Sequence, residues 1–72
     1  MIHYEMFYNL YQDQWFIGIS EQELALNCGE HIELYITGNM IPCRLELADK
    51  WYVMMDNTSF YLRENEQYIV NL

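Results

Sequence analysis

The stretch HIELYITGNMIPCRLEL, residues 31–47, decides the fold that the rest of the chain adopts. Apolar residues occupy every second position on both sides of Gly38-Asn39, which is the period expected of strands with one buried face. Glycine and asparagine tolerate the positive φ angles of tight two-residue turns. The stretch therefore predicts a β-hairpin whose inward side chains are Ile32, Leu34, Ile36, Ile41, Cys43, Leu45 and Leu47.

Closing the turn on these two residues also predicts a register for the hairpin. In that register every apolar pair falls on one face, and a slip of one residue would expose the whole set. The predicted inward pairs are Ile36 with Ile41, Leu34 with Cys43, and Ile32 with Leu45. The predicted outward pairs are Glu33 with Arg44 and His31 with Glu46.

Alternation and turn signals predict further strands on both sides of this hairpin. Before it lie two alternating runs, at 2–10 and 15–19, separated by a polar turn at 11–14. After it, a three-residue loop at 48–50 keeps the buried faces in phase, so Leu47 should lie opposite Trp51 and Leu45 opposite Val53. Short strands at 60–62 and 68–72 complete the chain.

Residues 20–30 are the hardest segment to interpret. Ser20 and Glu23 have the spacing of a helix capping box, but Gly29 follows too soon for a stable helix. The segment is expected to be an irregular loop with at most one helical turn, or an extended loop with Leu24 and Leu26 pointing inward. A turn at 27–29 should then lead into the hairpin. Residues 1–72 are thus expected to form one small all-β domain, an antiparallel SH3-like barrel or strongly bent sheet of five to six short strands.

Charge limits the classes of partner. Eleven Asp and Glu residues against three Lys and Arg residues give a formal net charge of −8. Affinity for a nucleic-acid backbone comes from Lys and Arg that neutralise phosphates, so the composition argues against direct nucleic-acid binding. The same reasoning excludes an anionic membrane surface. A basic protein partner is allowed, and the simpler interpretation is that the acidity only keeps the protein soluble.

The chain is also rich in apolar side chains, with 53% hydrophobic and 17% aromatic residues. A domain of this size buries only roughly 60% of the surface that its unfolded chain exposes. Part of the apolar surface is therefore expected to meet a partner or a second copy, which allows a homodimer. No apolar run of about 18 residues and no signal-peptide pattern are present, which predicts a cytoplasmic protein. Cys28 and Cys43 are expected to be reduced, buried thiols.

Four side chains have the types found in a zinc site: His3, His31, Cys28 and Cys43. Cys28-x-x-His31 has a plausible ligand spacing, but Cys43 should point inward and His31 outward, whereas the ligands of zinc converge on one point. The residues also provide no acidic or helix-terminal context that would activate a thiol nucleophile. The prediction is a protein that is not an enzyme, with no metal, cofactor or catalytic residue.

Several residues between Leu26 and Met55 form a recognisable pattern: LNCGEHIEL at 26–34, Gly38, IPCRLE at 41–46 and Trp51-Tyr52. With this pattern the chain resembles a family of small bacterial domains of unknown function, which occur in chromosomes and mobile elements. The chain departs from the family pattern at Met40, where the family prefers an aromatic residue, and at Cys43, where it prefers threonine. The resemblance implies a small β fold and a mobile-element setting, with no chemistry attached.

Carboxylates occur mainly in the predicted turns and at outward strand positions. Alternate positions along a strand are about 6.6 Å apart, close to the spacing of successive phosphates. A rigid row of carboxylates can therefore occupy a cleft built for nucleic acid while losing little entropy. Exposed aromatic side chains would supply desolvated anchors; the candidates are Phe7, Phe16, Tyr35, Tyr52 and Tyr61. The predicted partner-binding residues are Glu30, Glu33, Tyr35, Arg44, Glu46, Asp49, Tyr52 and Asp56.

The leading hypothesis is a non-enzymatic inhibitor or modulator that mimics nucleic acid and is encoded by a phage or mobile element. Its partner would be a basic, nucleic-acid-handling protein such as a nuclease, a CRISPR effector or a DNA-repair glycosylase. The alternative is an SH3-like interaction module that binds a peptide or self-associates through exposed aromatic side chains. Salt separates the two, because charge-driven binding weakens steeply with ionic strength and aromatic contacts tolerate it.

Overall fold

A computed structural model describes residues 3–72 of the chain. These residues form eight strands: β1 (Tyr4–Asn9), β2 (Gln14–Ile19), β3 (Gln22–Leu26), β4 (His31–Ile36), β5 (Asn39–Leu47), β6 (Trp51–Met55), β7 (Thr58–Tyr61) and β8 (Tyr68–Asn71). All neighbouring strands are antiparallel. Within residues 3–72 there is no helix long and apolar enough to cross a membrane.

The strands form one open sheet in the order β3-β2-β1-β8-β4-β5-β6-β7. Two meanders, β1–β3 and β4–β7, pair consecutive strands through short connections. The last strand, β8, lies between β1 and β4 and pairs with both. The two meanders therefore belong to one sheet only because β8 joins them.

The predicted all-β class is confirmed, but two finer expectations are not. The sheet has eight strands rather than five to six, and β3 and β7 lie at its two edges, so a closed SH3-like barrel is not supported. The strand that sequence reasoning missed is β3, which occupies part of the expected loop at 20–30. Four of its five residues are exposed. Of the two leucines expected to point inward in an extended segment, Leu26 is buried and Leu24 is 46% exposed.

The central hairpin forms, but its turn lies one residue earlier than predicted. The turn residues are Thr37 and Gly38, with φ angles of 45° and 89°, and positive φ at both positions is typical of a type I′ turn. Each partner consequently moves by two positions, so that Leu34 faces Ile41 instead of Cys43. Because two is an even number, the shift leaves every side chain on its predicted face. Leu47, at the end of β5, is nevertheless 41% exposed, so its expected burial is wrong.

Other predicted pairings are confirmed where the structure describes them. Leu47 lies opposite Trp51 and Leu45 lies opposite Val53, because the three-residue loop at 48–50 keeps the two faces in phase. β1 pairs with β2 as expected, and the turn before the central hairpin lies at 28–29. The predicted beginning of the first strand at Ile2 lies outside the described residues.

The inner face of the sheet holds the core, and the sheet curves strongly around it. Phe60 on β7 approaches Tyr68 on β8, with ring centroids 6.4 Å apart, although three strands separate β7 from β8 in the sheet. In a flat sheet these two strands would be about 19 Å apart. The buried core residues are Met6, Trp15, Ile17, Leu26, Ile32, Leu34, Cys43, Leu45, Trp51, Val53, Leu62 and Val70.

A single carboxylate connects the two meanders at one end of the inner face. Asp13, in the turn between β1 and β2, accepts hydrogen bonds at Oδ1 from the Tyr8 hydroxyl at 2.5 Å and from Trp51 Nε1 at 3.0 Å. Trp51 begins β6, which belongs to the other meander. The hydrogen bonds from Tyr8 and Trp51 lower the pKa of Asp13. The hydrogen bond to Asp13 also raises the pKa of Tyr8 to about 12.

We expect this contact to make stability depend on pH at both ends of the scale. Folding lowers the pKa of Asp13. The stabilisation that its ionised carboxylate gives the fold is therefore fully present above the unfolded pKa of about 3.9, and it is lost as the pH falls through the folded pKa. Folding raises the pKa of Tyr8, so the stabilisation that its protonated hydroxyl gives the fold is fully present below about pH 10. That contribution is lost as the pH rises toward the folded pKa of about 12.

Urea unfolding of Asp13→Asn across the pH range tests this expectation. The variant should be less stable than the wild type at neutral pH and should lose less stability in acid and in alkali. Asp49→Asn, which removes a carboxylate from the exposed loop at 48–50, is the matched control and should keep the wild-type profile. Identical acid profiles for Asp13→Asn and the wild type would contradict the assignment.

Candidate protein-binding face

The outer face of the sheet carries the side chains that alternate with the core positions. Strand pairing places these side chains in rows across β4, β5, β6 and β7. Backbone hydrogen bonds between the strands fix the positions from which the side chains project. One row contains His31, Arg44, Met54 and Ser59, and the next contains Glu46, Tyr52 and Tyr61.

Arg44 and Glu46 form an ion pair on the same strand, with 2.5 Å between Nε and Oε2. The Cys28 thiol donates a hydrogen bond to the other carboxylate oxygen of Glu46, over 3.2 Å. Hydrogen bonds from Cys28 and Arg44 hold the pKa of Glu46 below its usual range. The predicted cross-strand pairs Glu33–Arg44 and His31–Glu46 are wrong, because the shifted register places Arg44 opposite His31. Arg44 therefore neutralises Glu46 locally.

Glu33, on the outer face, has no cationic partner in the described part of the chain. It lies opposite Pro42 on β5, and its Oε1 accepts a hydrogen bond from the amide of Asn71 on β8, over 3.0 Å. Tyr35 occupies the next outward position of β4 and is 44% exposed. The structure thus holds a charged and an aromatic side chain side by side on one strand, as the sequence predicted.

Three predicted binding residues lie in loops. Glu30 precedes β4, and its carboxylate accepts a hydrogen bond from the backbone N–H of Asn27, which stabilises the turn between them. Asp49 and Asp56 are exposed at opposite ends of β6. Seven residues of extended chain span roughly 23 Å, so these two carboxylates do not converge on one group of a partner.

The aromatic side chains of the outer face partly cover one another. Phe7 stacks on Phe16 across β1 and β2, and Tyr52 meets Tyr61 edge-on across β6 and β7; the ring centroids are 6.1 Å apart in both pairs. Phe7, Phe16 and Tyr52 are half-buried, whereas Tyr61 is 65% exposed. Tyr35 and Tyr61 are therefore the exposed aromatic anchors among the five predicted.

Sequence reasoning missed a second acidic part of the outer face. Glu5 on β1 and Glu23 on β3 lie on either side of Gly18 on β2. Because glycine has no side chain, the two carboxylates flank open space, in which an added Cβ would meet no atom within 4 Å. The alternation of Glu5 with buried Met6 was a usable signal for Glu5. Glu23 was expected among the turn or outward carboxylates, but the loop predicted at 20–30 gave it no place on a strand.

The cysteine and histidine side chains are distributed over both faces. Cys43 is buried on the inner face, where burial raises its pKa to about 11, while His31 is exposed on the outer face. Within residues 3–72 no group of three or more His, Cys, Asp or Glu side chains is placed to hold a metal ion. Both cysteines are free, and Cys28 is exposed, so the expectation that it is buried is wrong.

Comparison with known proteins places this architecture in a family. A crystal structure of a protein from Ruminococcus gnavus, a target of the Northeast Structural Genomics Consortium, matches with a TM-score of 0.77 and 23% identity. The match covers 99% of this chain and 100% of that one, and it shows a shared fold. No curated protein matches the chain. A family model described as a domain of unknown function, DUF5348, matches residues 4–72. The chain therefore belongs to this family of domains of unknown function, in agreement with the resemblance in its sequence.

Proposed function

We propose that this protein is a non-enzymatic acidic binding protein whose outer face docks onto a basic, nucleic-acid-binding surface of another protein. One observation supports the proposal above the rest. The carboxylates of Glu5, Glu23 and Glu33 project from one hydrogen-bonded sheet, and the ion pair found among the described residues engages a different carboxylate, Glu46. The outer face therefore carries uncompensated charge on a rigid support.

The physics of such a surface favours fast and selective association. A net charge of −8 on a chain of 72 residues attracts a positively charged cleft over a distance of about one Debye length, ~10 Å at 0.1 M salt. Carboxylates on paired strands lose little conformational freedom on binding. Tyr35, beside Glu33, adds an aromatic contact of the kind that dominates binding energy at interfaces.

The partner class follows from this charge. Nucleases, CRISPR effectors and DNA-repair glycosylases hold nucleic acid in grooves whose Lys and Arg side chains neutralise phosphates, and the outer face would compete for such a groove. Direct nucleic-acid binding stays excluded as a prediction from composition. A phage or mobile-element origin and a cytoplasmic location also stay predictions from the sequence.

Inhibition assays test the proposal with three named probes: DNA cleavage by a purified Cas9-type effector, DNA cleavage by a nuclease, and base excision by a uracil-DNA glycosylase. We expect inhibition of at least one, relieved by competitor DNA and by high salt. Glu5→Lys with Glu33→Lys should weaken inhibition by about tenfold or more, because like charges then face each other. Glu64→Lys with Glu66→Lys makes the same change in net charge at exposed positions between β7 and β8 and should change the inhibition far less. Equal weakening by both variants, or no inhibition of any probe, would refute the proposal.

A second candidate function is an interaction module that binds a peptide through its aromatic side chains. The observation that favours it is the edge-on pair of Tyr52 and Tyr61, which leaves Tyr61 65% exposed. Such binding would tolerate salt and would be lost in Tyr35→Ala and Tyr52→Ala, whereas charge reversal at Glu33 would leave it unchanged.

A further inference from the structure

The inner face of the sheet is open to solvent at one end. An apolar cavity of about 530 Å³ lies there, beside the turn between β6 and β7 and at the opposite end of β6 from Trp51. Four apolar side chains line the cavity: Ile36, Ile41, Met55 and Phe60. Ile36 and Met55 also pack against the buried core. The cavity therefore extends the apolar inner face of the sheet to the surface.

Strand pairing explains why these side chains converge. Ile41 on β5 lies opposite the buried Leu34, and Phe60 on β7 lies opposite the buried Val53. Residues that face each other across an antiparallel pair project to the same side of the sheet. The β4–β5 hairpin and the β6–β7 hairpin thus supply two walls of the cavity. Because backbone hydrogen bonds hold each wall, binding a ligand requires little ordering of the chain.

The volume and the lining of the cavity fit a small molecule. Sites for small ligands typically enclose about 300–1,000 Å³ and combine mostly apolar walls with a few polar groups. Here the polar residues are exposed at the rim, and they are Asp56, Asn57, Thr58 and Ser59. Phe60, which is 37% exposed, offers its ring for edge-to-face contact, and the sulfur of Met55 favours an aromatic neighbour. The walls therefore favour a ligand with an aromatic body.

Asp56 determines which charge the cavity prefers. Among the described residues that line the cavity, Asp56 is the one with a charged side chain. It begins the two-residue turn at 56–57, and β6 and β7 are paired up to Met55 and Thr58 on either side of that turn. The short turn holds the carboxylate at the rim. The net charge of −8 acts in the same direction, so the cavity attracts cations and repels anions.

No Lys or Arg side chain lines this cavity in the described part of the chain. Lys50 and Arg63 line hollows that do not include Asp56. His31 and Arg44 border a separate hollow with Asp56 on the outer face, where Arg44 is held in its ion pair on β5. Asp56 forms no ion pair within residues 3–72. Its carboxylate can therefore accept hydrogen bonds from a bound cation.

We propose that the cavity binds a small organic cation that carries a primary ammonium group on an aromatic body. The aromatic body lies against Phe60, and the ammonium group donates hydrogen bonds to Asp56 at the rim. Since an exposed ion pair contributes little free energy, the apolar walls supply most of the affinity and Asp56 supplies the selectivity. This site goes beyond the proposed docking of the outer face, because Glu5, Glu23 and Glu33 do not line it. The two proposals fail independently.

NMR titration of the isotope-labelled full chain with three matched probes tests the site. The probes are 2-phenylethylamine, which is a cation at neutral pH, the uncharged 2-phenylethanol, and the anion phenylacetate. The amine should bind with a Kd of about 1–10 mM, as expected for a ligand of its size. It should shift backbone amides on both walls, at 36–41 and 55–60. The alcohol should bind about threefold more weakly and the anion about tenfold more weakly.

Asp56→Asn tests the origin of this preference. Asparagine keeps the size of the side chain and tolerates the positive φ of 41° found at this position. The variant should bind the amine and the alcohol equally, with its affinity for the alcohol unchanged. Asp49→Asn, in the exposed loop at the other end of β6, makes the same change in net charge and should keep the preference for the amine.

Phe60→Ala tests the apolar wall and should weaken binding of all three probes by about threefold or more. Leu24→Ala, at an exposed position of β3, is the matched control and should bind like the wild type. If Phe60→Ala fails to fold, the positions of the shifted amides in the wild type decide the question. Equal affinity for the amine and the anion, loss of the preference in Asp49→Asn, or amide shifts confined to other parts of the chain would overturn the proposal. So would the absence of saturable binding of the amine up to about 50 mM, well above the expected Kd.

Discussion

Trp15→Ala is expected to lower the free energy of unfolding by about 3–5 kcal/mol, the range for loss of a large buried aromatic side chain. Trp15 is completely buried, and its indole lies 5.4 Å from the Tyr8 ring and 5.8 Å from the Tyr68 ring, measured between centroids. It thus packs against both β1 and β8. Domains of 72 residues are stable by about 4–11 kcal/mol in total. The loss is therefore a large share of the total stability of the domain.

Urea and thermal unfolding followed by circular dichroism measure this effect without relying on tryptophan fluorescence. The melting temperature should fall by roughly 12–40 °C, and loss of any cooperative transition is the extreme form of the same result. Trp15→Phe is the informative control. The indole N–H is buried without an acceptor in the described structure, so phenylalanine removes an unsatisfied donor whose burial costs about 1–3 kcal/mol. Trp15→Phe should cost far less than Trp15→Ala, and equal losses would contradict this account.

Leu34→Ala is expected to cost about 2–5 kcal/mol, because it leaves a cavity in the centre of the core. Leu34 is completely buried, and it pairs with Ile41 on β5 and with Val70 on β8. Tyr35→Ala, at the next residue of the same strand, is the matched control, since Tyr35 is 44% exposed. Chemical unfolding should show a loss for Tyr35→Ala of about 1 kcal/mol or less. A larger loss at Tyr35 than at Leu34 would reverse the assignment of the two faces.

The sequence predicts the faces of this fold better than the partners of its strands. Alternation alone placed Leu34 and Leu45 inward, since a side chain keeps its face whenever partners shift by an even number. The position of the turn depends instead on which residue adopts positive φ, and Thr37 does so here. β-branched residues seldom adopt that conformation, so Gly38-Asn39 was the stronger local signal. In the structure Ile36 pairs with Asn39, so the turn falls on Thr37 and Gly38 instead.

In the candidate site, too, the sequence predicts which face a side chain occupies better than it predicts the contacts of that side chain. The outward position of Glu33 and Tyr35 follows from strand period, and the structure keeps them adjacent. The isolation of Glu33 from Arg44 depends on register, and the contribution of Asn71 depends on where β8 enters the sheet. Local sequence predicted the register of β6 on β5, but it predicted neither the shifted register of β5 on β4 nor the place of β8 in the sheet. Glu23 was counted among the outward or loop carboxylates but not assigned to a strand, because an exposed edge strand lacks a sustained apolar period that would identify it.

The position of β8 has a consequence for how the chain acquires its structure. Tyr4 pairs with Val70, 66 residues further along, and such distant pairings slow the search for the native state. The ribosome delivers β8 after the other seven strands, so the two meanders emerge without the strand that unites them. The apolar surfaces of the meanders that β8 covers stay exposed until translation has passed residue 71. We therefore expect the sheet to be completed only after β8 has been synthesised, and the unpaired meanders to be prone to aggregation before then.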